Sequence, residues 1–388
     1  MNIVLFDDDL RDHLLPLTFT RPVADLRIGI MTIAEKWSKR LAVNVSYKTV
    51  DYLQHKFSAT EETSNVYING ACLPSDSLVQ EIESLSTGES LVTKDNRLVA
   101  KHTATYLEGA INKKVIDAQF VNYPEDIFTL NAVELEKDYD LITEGRTSLA
   151  ISASNTVVGK GRIFLETGAI VEGAVLNASN GSIYIGHNAE VMEGAMIRGG
   201  LAMCESSALK MGAKIYGATT IGPFSKAGGE VNNSVIMGYS NKGHDGFLGN
   251  SVLGEWCNLG ADTNNSNLKN NYAEVKLWSY VDGRFRKTGT QFCGLVMGDH
   301  SKCGINTMFN TGTVIGVCAN IFGSGFPRNY VPSFAWGGSA GYSTYQLNKA
   351  NETAQLVMQR RGKSLDEVER AILENVFNKT QINRIWEV

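Results

Sequence analysis

Proline is scarce in this 388-residue sequence, with seven residues against 38 glycines. Glycine in that abundance, with no collagen period and no low-complexity tract, implies many tight turns. The six cysteines (Cys72, Cys204, Cys257, Cys293, Cys303 and Cys318) include no CxxC pair. That spacing argues against a structural zinc and predicts reduced thiols in a cytoplasmic protein. Long hydrophobic runs are missing too, which excludes a membrane-spanning segment. The first residues, MNIVLFDDDL, turn acidic at once and predict no signal peptide. Positive charge is not in excess: the net charge is −5, which argues against broad nucleic-acid binding but is compatible with a local phosphate pocket. What remains, 43% hydrophobic and 20% charged, is the composition of an ordinary soluble globular chain long enough for two or three domains.

Three textures divide the sequence into residues 1–145, 150–335 and 340–388. The first reads as α/β. NIVLF (2–6) and VYING (66–70) are short apolar strands, and residues 77–85 read as a helix. Residues 23–41 contain a helix-like spacing at Ile30, Ile33, Ala34 and Trp37, and residues 89–103 alternate like a hairpin about Asp95-Asn96. The last part reads as two helices, 344–362 and 364–379, with Ser364 and Glu367 as a capping box and Gly362 as the stop of the first. These helices are expected to cap an open end of the middle domain.

In that middle domain aliphatic residues recur every six positions. Ile185, Val191 and Ile197 keep the step, as do Ile221 and Ala227, then Phe247, Leu253 and Leu259. The longest series is Met297, Cys303, Phe309, Ile315 and Ile321. One such coincidence is unremarkable, but several in phase predict a hexapeptide-repeat parallel β-helix with aliphatics inward and Gly or Asn at the corners. The phase is expected to break near 200–215 and across 264–295, where the chain would leave the coil. Long excursions from repeat folds often carry binding groups.

The stretch GYSNKGHDGFLG (238–249) places His244 among glycines beside Lys242 and Asp245. With Glu230-Val231, Leu248-Gly249, Gly254, Asn258, Leu259-Gly260-Ala261 and Thr263 it resembles the C-terminal domain of the bifunctional N-acetylglucosamine-1-phosphate uridyltransferase/glucosamine-1-phosphate N-acetyltransferase family, as a divergent branch. The resemblance covers about residues 155–325 and implies left-handed coils, a homotrimer and a site between neighbouring subunits, with acetyl-CoA along the coils. It implies that His244 is the general base for the attacking sugar amine, a task that suits an imidazole near neutral pH. Asp245 is a candidate to orient the ring, Gly246 to help hold the oxyanion, and Gly260, Ile305 and Gly323 to line the acyl-CoA. Lys242 and Lys269 are candidates for the sugar phosphate, and Asn258 and Asn267 for the sugar hydroxyls or amine. Phe247 stands where the family has a substrate-contacting tyrosine, Ile305 where it has a serine, and Lys214 or Tyr216 near its phosphate-binding arginine. These departures leave the acceptor open. His187 and His300 read as ordinary corner residues. Arg284, Arg286 and Lys287 read as a solvated basic face, with the phosphates of coenzyme A as the alternative.

Leu15-Pro16-Leu17-Thr18 and Arg21-Pro22 resemble the opening of the sugar-1-phosphate nucleotidyltransferases, which implies a truncated Rossmann-like domain. The glycine-rich phosphate loop of that family is replaced by DDDLRDHL (7–14), the lysine after Arg-Pro is absent, and Ala71 stands at its Mg²⁺-binding aspartate. A non-standard nucleotide site from Asp7, Asp8, Arg11 and Arg21 with Mg²⁺ is one reading, and a domain kept for assembly is the other. Three functions follow: acetyl transfer from acetyl-CoA to an amino-sugar phosphate in nucleotide-sugar synthesis, nucleotidyl transfer with UTP or dTTP alone or in addition, and a non-enzymatic β-helix module that senses sugar nucleotides.

Overall fold

The computed structural model describes residues 1–159 and 161–387, which form two compact units. The first comprises Met1–Leu14, Thr20–Leu26 and Met31–Tyr123, and the second the remainder. The first unit is an α/β layer. Its six-stranded sheet runs, in spatial order, Val45–Lys48, Asn2–Phe6, Asn65–Asn69, Leu98–Thr103, Glu89–Val92 and Asn112–Val115. The first three strands are parallel, and 98–103 with 89–92 forms an antiparallel hairpin whose turn places Asn96 at φ 65°. Helix α1 (Ile33–Leu41) makes the crossover between the first two parallel strands, and α2 (Asp76–Glu83) follows the third.

The helix expected over 23–41 is shorter than its spacing suggests. Residues 23–32 form a 3-10 turn and two short strands, and α1 starts only after Thr32. Thr32 and Glu35 close a reciprocal capping box there. Gly29, at φ 73°, breaks the helical path upstream. The indole Nε1 of the fully buried Trp37 donates to the Cys72 carbonyl (2.9 Å), which ties α1 to the short strand Cys72–Leu73.

The second unit is a three-sided parallel β-helix with helices on one side and at its end. Strands of two to four residues stack into three ladders, of which one face holds nine strands and another ten. The interior row Ile185, Val191, Ile197, Met203, Leu209, Ile215, Ile221 and Ala227 keeps the six-residue step without a gap, each residue at most 2% exposed. The break expected near 200–215 is therefore absent. Met203 is followed by Cys204 instead of glycine, so the corner signal was missing while the inward position was kept.

The step slips further on. Ile183 pairs with Leu201 and Leu201 with Thr219, three full hexads each, but Thr220 pairs with Val235 and Val235 with Val252. Those two coils are short by three residues and by one, and the second carries His244. The excursion after Asn265 is real: Lys276–Ser279 pairs antiparallel with Arg284–Lys287 before the coil resumes at Leu295.

Two helices not anticipated from the sequence, α3 (Pro124–Thr129) and α4 (Asn131–Thr143), belong to this unit. Leu135 and Tyr139 of α4 cluster with Phe164, Tyr184, Ala202 and Cys204 on the outside of one ladder. Fixed hydrogen bonds hold the connection: Gly29 N donates to Asn131 Oδ1 (2.7 Å) and Ile30 N to Asp138 Oδ2 (2.8 Å). The β-helix ends in a hairpin, 335–344, followed by α5 (Leu347–Gln359) and α6 (Glu367–Lys379). The N-cap of α6 is Asp366, which accepts from Glu369 N at 2.8 Å, not Ser364 as the sequence suggested. Gly362 adopts φ 67° just beyond α5, which the left-handed exit from a helix requires.

Candidate functional site

His244 lies on an exposed turn and lines a cleft of about 850 Å³ on the flank of the β-helix. The coil segments around 239–244 and 256–261 and the end of α5 build most of it, with Lys210, Lys226, Lys302 and Ile305 from other coils. Asn258, Gly260 and Ile305 line it with His244. Gly260 is required by its neighbour coil, since a Cβ there would lie 2.4 Å from the Gly304 carbonyl. The cations Lys210, Lys226, Lys302, Arg360 and Arg361 also line the cleft, and among its described lining residues none is acidic. Asn241 contributes a buried Oδ1 that accepts no hydrogen bond.

An aromatic column forms one wall. Phe224, Tyr239, Trp256 and His300 occupy the same corner of successive coils, at φ 58°, 59°, 59° and 59°. Phe224 stacks on Tyr239 at 5.0 Å, Tyr239 on Trp256 at 4.1 Å, and Trp256 on His300 at 6.2 Å. Left-handed backbone costs a bulky residue about 1–2 kcal/mol, and each stacked pair returns about 0.5–1.5 kcal/mol. Of this column, Tyr239 and Trp256 line the cleft.

The other residues singled out in the sequence are placed differently. Lys242 is 2% exposed and points into the core, so it offers no charge to a solvent-borne phosphate. Burial pulls its pKa down to about 8. Asp245 is exposed on the turn, but His244 and Asp245 share no hydrogen bond, and neither Asp245 nor Gly246 lines the cleft. Phe247 N donates to Asn264 Oδ1 (2.8 Å), and Asn267 Nδ2 donates to Asn250 Oδ1 (2.8 Å). Neither lines the cleft, nor does Gly323. Lys269 donates to the Glu274 carbonyl (2.9 Å) and lines a separate cavity of about 1580 Å³ beside Trp278, Tyr330 and Trp386. On the excursion hairpin, Arg286 pairs with the buried Glu125 at 2.5 Å, while Arg284 and Lys287 are exposed, and none of the three borders the cleft. Lys214 and Tyr216 lie on another face, where the Tyr216 hydroxyl donates to Glu230 at 2.5 Å. His187 and His300 sit at corners.

Sequence reasoning passed over Arg360 and Arg361. Their only trace is the QRRG at 359–362, and nothing local shows that α5 folds back along the coils. Lys210, Lys226 and Trp256 were equally invisible, because their meeting depends on which corner each hexad supplies.

In the first unit Asp7 is 4% exposed at its side chain. It accepts from Val23 N (2.9 Å), Arg11 Nε (3.1 Å) and Thr49 Oγ1 (2.5 Å). Asp8 accepts from Arg97 Nε and Asn69 Nδ2, both at 2.8 Å. Arg11 and Arg21 are buried, and Arg21 reaches Asp25 at 3.4 Å. A Mg²⁺ site needs carboxylate oxygens free for the ion. Both carboxylates are taken up by protein donors, so this set does not fit the metal. Among the described residues no group of three or more His, Cys, Asp or Glu converges elsewhere, and no helix is long and apolar enough to cross a membrane.

Residues 3–147 match the family model of the sugar nucleotidyl transferases. Among characterised relatives, a bifunctional sugar-1-phosphate nucleotidylyltransferase/acetyltransferase of Sulfurisphaera tokodaii is 38% identical over 24% of this chain and 23% of its own. The bifunctional protein GlmU of Methanocaldococcus jannaschii is 33% identical over 22% of this chain and 21% of its own. That of Rippkaea orientalis is 30% identical over 43% of this chain and 32% of its own. The matched stretches thus span between a fifth and a third of these relatives. Among solved structures, LpxA from Bacteroides fragilis, a UDP-N-acetylglucosamine acyltransferase, aligns at 15% identity with a TM-score of 0.30, over 61% of this chain and 84% of that one. So slight a likeness supports nothing further. By its sequence, then, the chain is similar over residues 3–147 to the sugar nucleotidyl transferase family, and over a part of its length to bifunctional sugar-1-phosphate nucleotidylyltransferase/acetyltransferases.

Proposed function

We propose that this protein transfers an acetyl group from acetyl-CoA to the amine of a sugar phosphate, of the glucosamine 1-phosphate kind, at the His244 cleft. The observation that carries this reading is the composition of that cleft: an exposed imidazole, five cations and, among the described lining residues, no carboxylate. Acetyl-CoA is a polyanion with a long amide-bearing arm. Arg360, Arg361, Lys210 and Lys226 suit its phosphates, and the orphaned Asn241 Oδ1 suits an amide N–H of the arm. His244 takes a proton from the amine as nitrogen attacks the thioester carbonyl. The tetrahedral adduct then collapses, the C–S bond breaks, and the proton leaves with the thiol. Asn258, exposed in the same cleft as His244, is the candidate to bind the acceptor.

The reading extends to a cytoplasmic homotrimer. Exposed Ile305 (70%), Phe322 (43%) and Trp336 (39%) offer apolar surface near the cleft to a neighbouring subunit. A second activity, nucleotidyl transfer from UTP or dTTP, is favoured by the family match over residues 3–147. It would need a Mg²⁺ site other than Asp7 and Asp8.

The test is calorimetric titration with coenzyme A. Arg360→Glu/Arg361→Glu should weaken binding by about 10- to 100-fold at low salt, and by less as salt rises. Unchanged affinity would remove α5 from the site, and no binding by the unaltered protein would remove the reading.

A further inference from the structure

A lysine has no ordinary reason to occupy an inward position of a β-helix. Lys242 does so: it follows Ala227 in its ladder, and the same row continues with Leu259, Cys303 and Ile321. Its side chain is among the largest fully buried ones in the chain. No carboxylate touches it. Its ammonium donates to three backbone carbonyls, those of Gly228 (3.1 Å), His244 (2.6 Å) and Asp245 (3.1 Å). Three protons meet three acceptors, so the group is fully satisfied only when charged. Two of the acceptors belong to the turn that carries the imidazole.

We infer that Lys242 is a positioning residue, an internal tether that fixes the His244 turn from beneath and so aims the imidazole into the cleft. This rests on the acyl-transfer reading for its consequence, but not for its geometry. The turn's other described hydrogen bonds run from Asp262 N to the Asp245 carbonyl (3.1 Å), from Glu230 N to the Gly246 carbonyl (3.2 Å) and from Phe247 N to Asn264 Oδ1 (2.8 Å), and none of them reaches the His244 carbonyl. His244 and Asp245 are exposed, and the coil there is one residue short of three hexads. From above, the turn sits close against the preceding coil, where a Cβ on Gly229 would lie 2.9 Å from the His244 carbonyl. The desolvation that lowers the Lys242 pKa also strengthens its hydrogen bonds, because the surrounding medium screens them little. An aliphatic side chain would satisfy the hexad at this place. It would leave the His244 carbonyl without its donor and the Asp245 carbonyl with Asp262 N alone, and the turn freer to move.

Lys242→Met tests this, because methionine keeps the length and suits the interior row. Amide hydrogen exchange followed by mass spectrometry should show the peptide over 243–247 exchanging at least about tenfold faster, with the neighbouring coils unchanged. Catalytic turnover should fall about 100-fold at an unaltered affinity for coenzyme A, and the substitution should add nothing in a His244→Gln background. Unaltered exchange at 243–247, or an equal loss in the His244→Gln background, overturns the inference. If Lys242→Met does not fold, Lys242→Gln retains two of the three donors and is read the same way. Exchange is measured without turnover, so an unaltered protein with no acetyl transfer would defeat the acyl-transfer reading and leave the tether to be decided by exchange alone.

Discussion

If the His244 cleft carries the proposed acetyl transfer, His244→Gln is expected to lower it by about 10²- to 10⁴-fold and to leave the fold and coenzyme A affinity as they were. The side chain is exposed and takes no part in the core, so its removal costs the β-helix little. Glutamine keeps polarity and approximate reach but cannot accept a proton at neutral pH. The loss therefore appears in turnover and not in binding, the pattern of a group used only in the transition state. A parallel loss of melting temperature would mean that His244 serves the turn's structure. An unchanged rate would mean that the amine reaches the thioester without this base, and the acceptor's own deprotonation would then limit the reaction.

Leu209→Ala should destabilise the second unit by about 2–5 kcal/mol in chemical denaturation. Leu209 is fully buried, between Met203 and Ile215 in the interior row and paired with Val191 and Ala227 on adjacent coils. In a β-helix each coil contacts only its neighbours, so a cavity there weakens two interfaces at once. If residues 200–215 left the coil, as the missing corner glycine suggested, the same substitution would cost well under 1 kcal/mol. The experiment thus separates a continuous solenoid from an interrupted one.

The interior row explains how much of the fold was legible. Aliphatics at six-residue spacing report burial directly, and the β-helix, the terminal helices and the 89–103 hairpin were readable from spacing and turn chemistry. The row was misread where polar or sulfur-bearing residues stood at corners, as at Cys204, and where coils shortened, as between Thr220 and Val252. The helix over 23–41 was overextended because helical spacing of apolar residues persists through Ile30. The stop lies in the left-handed Gly29 and the cap at Thr32. α3 and α4 were missed because their buried faces are mixed: Asn131, Glu134 and Asp138 are buried beside Leu135.

The site was half legible. His244, Asn258, Gly260 and Ile305 meet in one cleft, and a local motif was enough to find them. Lys242 is the instructive failure. Charge in a glycine-rich stretch suggested a phosphate ligand, and six-residue counting from Ala227 passes through Asn233, Tyr239 and Asp245 and misses Lys242, which pairs with Ala227 only because that coil is short by three residues. The slip concealed that it points inward. Arg360 and Arg361 lie about 100 residues from the turn they approach, and only the path of α5 brings them there. Asp7 and Asp8 had the composition of a metal site, but their oxygens are already spoken for by Val23, Arg11, Thr49, Arg97 and Asn69.

The most direct measurement is release of free thiol from acetyl-CoA by the unaltered protein, with and without glucosamine 1-phosphate. Release that depends on the amino sugar, with one acetylated amine formed per thiol, is the expected result. Thiol release at the same rate with and without the amino sugar, or none at all across amino-sugar phosphates, would contradict the assignment of the His244 cleft as an acetyl-transfer site.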